Sequence, residues 1–509
     1  MRIKLSTIVM LPMIAFCAVL AVAGPVPQDA GGGSSDADDA AIDGDAVEAE
    51  IDALAEDPNG PDGIDLMVSM YEAAQDIRAR EGDDTAGFSG KFGSPLPAPG
   101  KNGPVDYIAW IVAETETELP GAAAYFESAV ARFVPWDGPD DLWNCAVVGD
   151  PDALVSPEIT AWLAANEPAF NDLLAAPLFE YRGVVEFDEG DERLLDVRYL
   201  TVIKCRDIAK SLLIKADVLE MHGDTTGALE ILCELMAVGG TLGCGPTCID
   251  PLLGAATQSL AHDEILDLLG EIGDDQVDYA WLAAKADATF QDLGGTTRAF
   301  RFEQAVTLDL IQWLYHYDPD TKSYRLREDC LSLWDGVFGF DDQQDKDLLR
   351  RALDSHSFSY FVNHTNLWFD VLIFATRDPF EDAYLTVRWR EQEVDLEENR
   401  LKNPFLYYCL PSISRFYELV TRGGSHRAAT RLVINLKAHR QKHGEYPAAL
   451  ADAFDRELTI DPFTNAPFVY RREGDDFVLY SLGRNCKYDD GKRDSRGEDG
   501  DIYYWPRRP

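Results

Sequence analysis

Apolar residues recur every three or four positions over most of the chain between residues 105 and 444, the period that gathers them on one face of a helix. This spacing predicts helices over 105–118, 122–133, 157–174, 194–222, 226–238, 249–269, 277–293, 296–316, 346–355 and 381–399, the last heavily charged and expected on the surface. One junction is explicit in the letters. In Met221-His222-Gly223-Asp224-Thr225, a glycine able to take the left-handed conformation stops one helix, and Asp224 or Thr225 can cap the next. Two helices joined so tightly form an αα-hairpin reminiscent of tetratricopeptide units, yet no regular repeat period extends it into a solenoid.

The pattern changes after residue 404. A helix is expected over 404–422, with a break at Pro411, and a second over 425–443 with Ala428, Ala429, Leu432, Val433 and Leu436 on one stripe. Gly444 and Pro447 end it. Alternation then replaces helical spacing: Phe468 and Tyr470 flank Val469, and Phe477 and Leu479 interleave with Val478 and Tyr480, around a Glu473-Gly474-Asp475 turn. This is a β-hairpin, which needs a helix to pack against. The expected fold is therefore mainly α: a multi-helix body of αα-hairpins over 63–403 and a small C-terminal α+β module over 404–509.

The N-terminal 62 residues have neither pattern. Arg2 and Lys4 precede an apolar run from Ile8 to Val22, and Ala21-Val22-Ala23 offers small residues for cleavage, so 1–23 reads as a signal peptide. Residues 24–62 are low in complexity and acidic, with no Lys or Arg from Leu5 to Ile77, and read as a disordered tether. Amphipathic spacing resumes over 64–80, followed by a Gly/Pro linker. The expected location is the periplasm or cell surface, with no membrane span after signal cleavage.

Charge narrows the partners. The 509 residues carry a formal net charge of −45, which excludes nucleic acid, whose phosphates need Lys and Arg, and disfavours anionic lipid. Against that background, residues 419–444 contain no acidic residue but hold Arg422, Arg427, Arg431, Lys437, Arg440 and Lys442. Either an anionic partner or the protein's own acidic body covers this face, and the body is the favoured counterpart. Nine cysteines, less Cys17 in the signal, leave eight, an even number that permits disulfides in an exported chain.

Catalytic signatures are sparse. His439 and His443 have the spacing of a zinc helix, but Arg440 stands where a general base belongs, so a solvated helix end is expected. Cys244-Gly-Pro-Thr-Cys248 has one residue too many for a redox turn and suggests a local disulfide or pairing with Cys233 or Cys205. The chain lacks a G-x-S-x-G elbow and a phosphate-binding loop. The aromatic clusters at 313–319 and 359–370 read as helix-packing residues.

From about Ala429 to Trp505 the order of motifs resembles the soluble domain of the major pseudopilin of type II secretion systems. The carrying residues are His443-Gly444-Glu445-Tyr446-Pro447, the turn Asp461-Pro462-Phe463, the strand from Phe477 to Gly483, and the close Asp499-Gly500-Asp501-Ile502. The long hydrophobic N-terminal helix on which pseudopilins polymerise has no counterpart here; the equivalent helix is basic. The layout as a whole resembles exported proteins of planctomycete-type bacteria. The resemblance implies a calcium loop, with Leu482 offering a carbonyl and Asn485, Asp490, Asp499 and Asp501 offering side-chain oxygens. Asn485 replaces an aspartate of the family pattern, and Lys487, Lys492, Arg493 and Arg496 offer a second way to neutralise the loop, by ion pairs without metal. The expected role is a non-enzymatic structural or interaction protein of the cell envelope with a protein partner; the alternatives are an exported hydrolase with its site in the helical body, or a helical-repeat adaptor.

The signal reading fixes a mature end. Intact-mass analysis of the protein exported from a bacterial host should give Gly24 as the first residue; retention of residues 1–23 would replace the signal with an anchor.

Overall fold

The computed structural model describes residues 96–100, 103–115, 121–147, 149–175, 193–194, 200–273, 276–290, 296–337, 343–376, 384, 402–409, 413–489, 492 and 500–506. The signal, the tether and the helix expected over 64–80 lie outside the described residues, as does that over 381–399 apart from Tyr384. The chain divides into two compact units, and every described residue belongs to the larger. That unit is mainly helical, with short antiparallel sheets concentrated near its C-terminus.

The helices begin with α1 (Tyr107–Thr115), α2 (Gly121–Arg132), α3 (Asp140–Val147), the single turn α4 (Pro151–Leu154) and α5 (Pro157–Leu174). α5 matches its expected limits because both start signals work: Ser156 accepts the Ile159 N–H at 3.2 Å, and Pro157 occupies the first turn. α6 (Leu200–Met221) packs on α2 and α5 and forms the anticipated hairpin with α7 (Thr225–Leu242). Gly223 sits at φ +79°, the Asp224 N–H reaches back to the Leu219 carbonyl at 2.9 Å and the Gly223 N–H to that of Glu220 at 2.7 Å, a Schellman closure. Asp224, rather than Thr225, then caps α7 by accepting the Gly227 N–H at 2.9 Å.

α7 crosses α8 (Ile249–Glu271) on glycines. A Cβ on Gly254 would stand 2.5 Å from the Gly239 carbonyl oxygen and 2.6 Å from Gly243 Cα, so the backbones approach more closely than any side chain permits. α9 (Tyr279–Thr289) packs beside this pair on α7.

A second core gathers α10 (Thr296–Trp313), β1 (Tyr315–Asp318), β2 (Ser323–Leu326), α11 (Cys330–Val337), α12 (Gln343–Ser355), α13 (Phe358–Ala375) and α14 (Pro404–Cys409) around Trp334, Phe361 and Phe405. Here the expected helix over 296–316 is corrected. It ends at Trp313, and Tyr315 and Tyr317 instead pair with Leu326 and Tyr324 in a hairpin. Pro319 blocks the helix, the Asp318 carboxylate accepts the Asp320 and Thr321 N–H groups, and Tyr324 stacks on Phe358 at 3.7 Å. The cluster over 359–370 is packing surface of α13, as expected.

The C-terminal part hangs on α15 (Ile413–His443), an unbroken 31-residue helix where two were expected. It runs straight through Gly423-Gly424, both buried, because the turn at Pro462 seats there: a Cβ on Gly424 would come within 3.7 Å of Pro462 Cγ. After the turn α16 (Arg456–Thr459) come the two-residue strands β3 (Ile460–Asp461) and β4 (Ala466–Pro467), and then a meander of β5 (Val469–Glu473), β6 (Asp476–Ser481) and β7 (Ile502–Trp505) in that spatial order. The two expected strands are present within a residue or two, joined by Gly474 at φ +62°; β7 is the additional strand. α15 carries this sheet on one side and packs against α8 and α9 on the other, so one helix belongs to both parts.

The glycine crossing separates two costs. Gly254→Ala should lower the urea midpoint by the equivalent of about 3 kcal/mol, the upper range for overpacking, while Gly223→Ala, whose Cβ would meet nothing within 4 Å, should lose only about 1 kcal/mol for its left-handed backbone. Equal losses would mean that α7 and α8 are not closely packed at this point.

Candidate functional site

The strongest concentration of polar chemistry lies where the C-terminal sheet meets α15 and α8. Asp461, 1% exposed, accepts from Ser425 Oγ of α15 (3.0 Å), Ser481 Oγ of β6 (2.7 Å) and the Phe463 N–H of its own turn (3.1 Å). Burial raises its pKa and these donors oppose that rise. Ser425 also meets the Tyr504 hydroxyl of β7 at 2.8 Å. Burial, followed by the Asp461 charge, pushes that phenol well above its usual range.

Beyond Tyr504 lie two stacked imidazoles, His262 of α8 and His426 of α15, with ring centroids 4.5 Å apart and the Tyr504 ring edge-on to both at 5.6 and 5.7 Å. His262 Nδ1 contacts Thr430 Oγ1, whose proton goes to the His426 carbonyl at 2.8 Å, so the imidazole is the donor to Thr430. Ser259 Oγ lies 3.1 Å from His426 Nδ1. These are hydroxyl–imidazole pairs of the kind a hydrolase uses, and the chain order gave no sign of them. Their surroundings are helix, ring and sheet: the stacked partner ring covers one face of each imidazole, and Tyr504 closes the edge. The arrangement joins the sheet, α15 and α8 by directional bonds among groups that solvent reaches poorly.

The basic face of α15 meets the body and the sheet. Arg431 pairs with Asp287 of α9 at 2.6 Å, and Lys437, 5% exposed, sets its ammonium 5.5 Å from the Tyr279 ring of α9 and 4.4 Å from the Trp505 ring of β7. Farther up the helix, Glu418 is 1% exposed and takes Arg415 (2.8 Å), Arg422 (2.6 Å) and Arg484 (3.5 Å), the last from the loop after β6. A cavity of about 280 Å³ opens there, lined by Tyr384, Ser414, Arg415, Glu418 and Arg484. At the other end of α15, His439 and His443 sit on an exposed helix end with rings 4.4 Å apart, and His439 Nδ1 approaches the Glu445 carbonyl at 3.1 Å.

Of the residues named for calcium, Asp490 and Asp499 lie outside the described residues. Leu482 follows β6 directly and Asp501 precedes β7; because Ser481 pairs with Ile502, both stand at the same end of the sheet. Asp501 is fully buried, and its N–H donates to the Lys492 carbonyl at 2.9 Å. Asn485 turns its oxygen to the Lys487 N–H (3.0 Å) and its nitrogen to Asp489 (2.9 Å). Among the described residues no group of three or more acidic, His or Cys side chains gathers here; the sheet end supplies one buried carboxylate and one carbonyl position, oxygens of the kind a hard cation takes. Asn485 would exchange its Lys487 bond for the ion.

The expected Cys244–Cys248 disulfide is not formed, and neither Cys205 nor Cys233 is disulfide-bonded. Helix packing decides this. Cys248 is buried beside Glu303, and burial, then that carboxyl, raises the thiol well above its usual range, which leaves it inert. Cys244 Sγ instead donates to the Gly240 carbonyl at 3.3 Å.

One cluster works against the fold. Asp217 and Glu220 of α6 face Glu264 and Asp267 of α8. Burial and then the neighbouring carboxylates push Glu264 up to about 8 and Asp217 up to about 7. No family model matches the chain, and neither a curated protein nor a solved structure does.

The carboxylate cluster sets a sign for pH. Folded pKa values above the unfolded ones mean that the native state holds protons the unfolded chain releases, so this contribution favours folding below about pH 4 and is lost as pH rises through 7 to 8. Glu264→Gln should therefore melt several degrees above the parent at pH 8.5 and at nearly the same temperature at pH 4.5. A gain that is equal at both pH values would show that charge at Glu264 is not the cause.

Proposed function

We propose that this is an exported, non-enzymatic protein of the cell envelope whose C-terminal module, similar in motif order to the pseudopilin soluble domain, is a rigid head for interaction, stabilised by calcium at the end of its sheet. The observation that carries the reading is the use made of the head's polar groups. Asp461, Ser425, Ser481 and Tyr504 spend their hydrogen bonds on one another, and α15 continues from under the sheet into the body. Such groups hold a shape; a reacting site keeps an open face toward a substrate. The calcium part rests on Leu482 and buried Asp501 sharing one sheet end, next to a loop whose sequence adds Asn485, Asp490 and Asp499.

Because α15 is shared, the test uses the whole mature chain. Melting temperature should rise by several degrees between EGTA and about 1 mM calcium, since an ion that binds only the native state stabilises by mass action. Asp501→Asn should abolish the increment whatever it does to the baseline, and Asn485→Asp should bring it in at lower calcium. An unchanged parent at millimolar calcium would remove the ion and leave loop neutralisation to Lys487, Lys492, Arg493 and Arg496.

A further inference from the structure

A second surface, remote in sequence from the C-terminal head, combines features that point to a ligand. Trp136, in the link between α2 and α3, and Trp143 of α3 lie with ring planes 28° apart and centroids at 6.0 Å. Trp162 of α5 stands edge-on beneath both, at 5.8 and 5.2 Å. Trp162 is buried and donates to the Val134 carbonyl at 2.8 Å, and Trp136 donates to that of Pro139 at 3.2 Å. These bonds orient Trp162 and Trp136, and Trp143 is held by ring contact with both, while Trp136 and Trp143 stay half-exposed. The same stretch leaves Tyr125, Val134, Val147 and Val155 at 39 to 54% exposure, four of the six large apolar side chains that stand out into solvent among the described residues. All four lie on or beside the segments that carry the tryptophans, and aromatic surface left open to solvent is what a contact site offers.

Charge identifies the occupant. No Lys or Arg occurs between Arg132 and Arg182. Arg132 and Lys215 neutralise Asp172 and Glu167 at the rear of α5. Asp137, Asp140, Asp141, Asp150, Asp152 and Glu158 are exposed and make no ion pair among the described residues. Asp137 adjoins Trp136 in sequence, Asp140 and Asp141 open the helix that carries Trp143, and Glu158 lies one turn from Trp162. Indole faces attract cations through the ring quadrupole, and neighbouring carboxylates add to that attraction. A neutral saccharide would use the rings and waste the charge. A second copy of this chain, at −45, would be repelled.

We propose that the Trp136–Trp143 face docks a basic segment of a protein partner, seating Lys or Arg side chains against the indoles with Asp140 and Asp141 at their charged ends. This names a partner chemistry for the interaction role proposed above and rests on that role, but on different residues from the calcium loop, so either can fail alone.

The test uses the full mature chain and a fluorescein-labelled peptide of alternating Lys and Ala, followed by anisotropy. Trp136→Ala with Trp143→Ala should weaken binding roughly tenfold, as for removal of a paired aromatic anchor. Asp140→Asn with Asp141→Asn keeps the tryptophans, guards against a folding loss in the first variant, and should weaken binding about threefold at low salt, with less effect at high salt. Asp320→Asn with Glu328→Gln removes the same charge from the β1–β2 region and should change nothing. If this last pair weakens binding as much as the tryptophan pair, the peptide is held only by the general negative field and the proposal falls. It falls equally if a peptide with Gln in place of Lys, or a neutral glucan oligosaccharide, binds with the tryptophan dependence that the Lys peptide lacks.

Discussion

A carboxylate that leaves water must find donors, and the donors that Asp461 finds decide how the C-terminal sheet sits on α15. Its two oxygens draw on Ser425, Ser481 and the Phe463 N–H, one group from each of the three pieces that must come together. None of the three is strong alone, and a net hydrogen bond in a protein contributes only about 1 kcal/mol. Their force lies in the alternative, since withdrawing any piece leaves a buried charge short of a partner. Gly424 lies under the same turn: a Cβ there would stand in van der Waals contact with Pro462, beside the Ser425 that reaches Asp461. Two adjacent glycines weaken an isolated helix by about 1 kcal/mol each relative to alanine, and α15 stays whole because the docked turn offsets that cost.

The same helix explains the local inversion of charge. In a chain with twice as many acidic as basic residues, 90 against 45, six cations in residues 419–444 would be conspicuous on a free surface. Two of them, Arg431 and Lys437, turn to the body and the sheet, to Asp287, Tyr279 and Trp505, and Arg422 turns back to Glu418 of the same helix. Lys437 lies between a ring of α9 and a ring of β7, which couples the body to the last strand through one nearly buried ammonium. The head is thus fastened by Asp461 at Ser425 and by Lys437 about three turns further along α15, and α15 also packs on α8 and α9, so packing and not a linker joins the two.

What the letters revealed depended on how local the cause was. The Gly223-Asp224 closure and the Ser156-Pro157 start involve neighbours within a turn, and both were legible. The β5–β6 hairpin was legible because alternation and Gly474 are adjacent in sequence. The β1–β2 hairpin was not, because Tyr315 and Tyr317 continue the apolar spacing of α10 and only the stacking of Tyr324 on Phe358 settles the competition. α15 was divided in two because the glycine cost is visible in sequence while the turn that offsets it lies some forty residues away. The polar seam had a partial signal: Asp461 and Ser481 both stand in the motifs that carry the pseudopilin likeness, but His262 and His426 meet only through the packing of α8 on α15. Asp501 was singled out as the terminal ligand that the resemblance implies; the structure buries it, while Asn485 is engaged with Lys487 and Asp489.

Carboxylates meet four different fates in this molecule, and the differences argue for where function resides. Glu418 is buried and held by three arginines; Asp461 is buried and held by hydroxyls and an amide; both serve structure. Asp217 and Glu264 repel each other between helices and are tolerated because protonation relieves them. The acidic residues from Asp137 to Glu158 are exposed and make no ion pair among the described residues; Asp150 caps a helical turn, and Asp140 and Asp141 open the helix that carries Trp143. These acids favour the helix starts on which they stand, but their outward charge is left for a cationic partner to complement, whereas the C-terminal seam is satisfied as it stands. The physical distinction between a finished contact and an open one is the reason the proposed partner site is the Trp136–Trp143 face, while the polar seam holds the head in place.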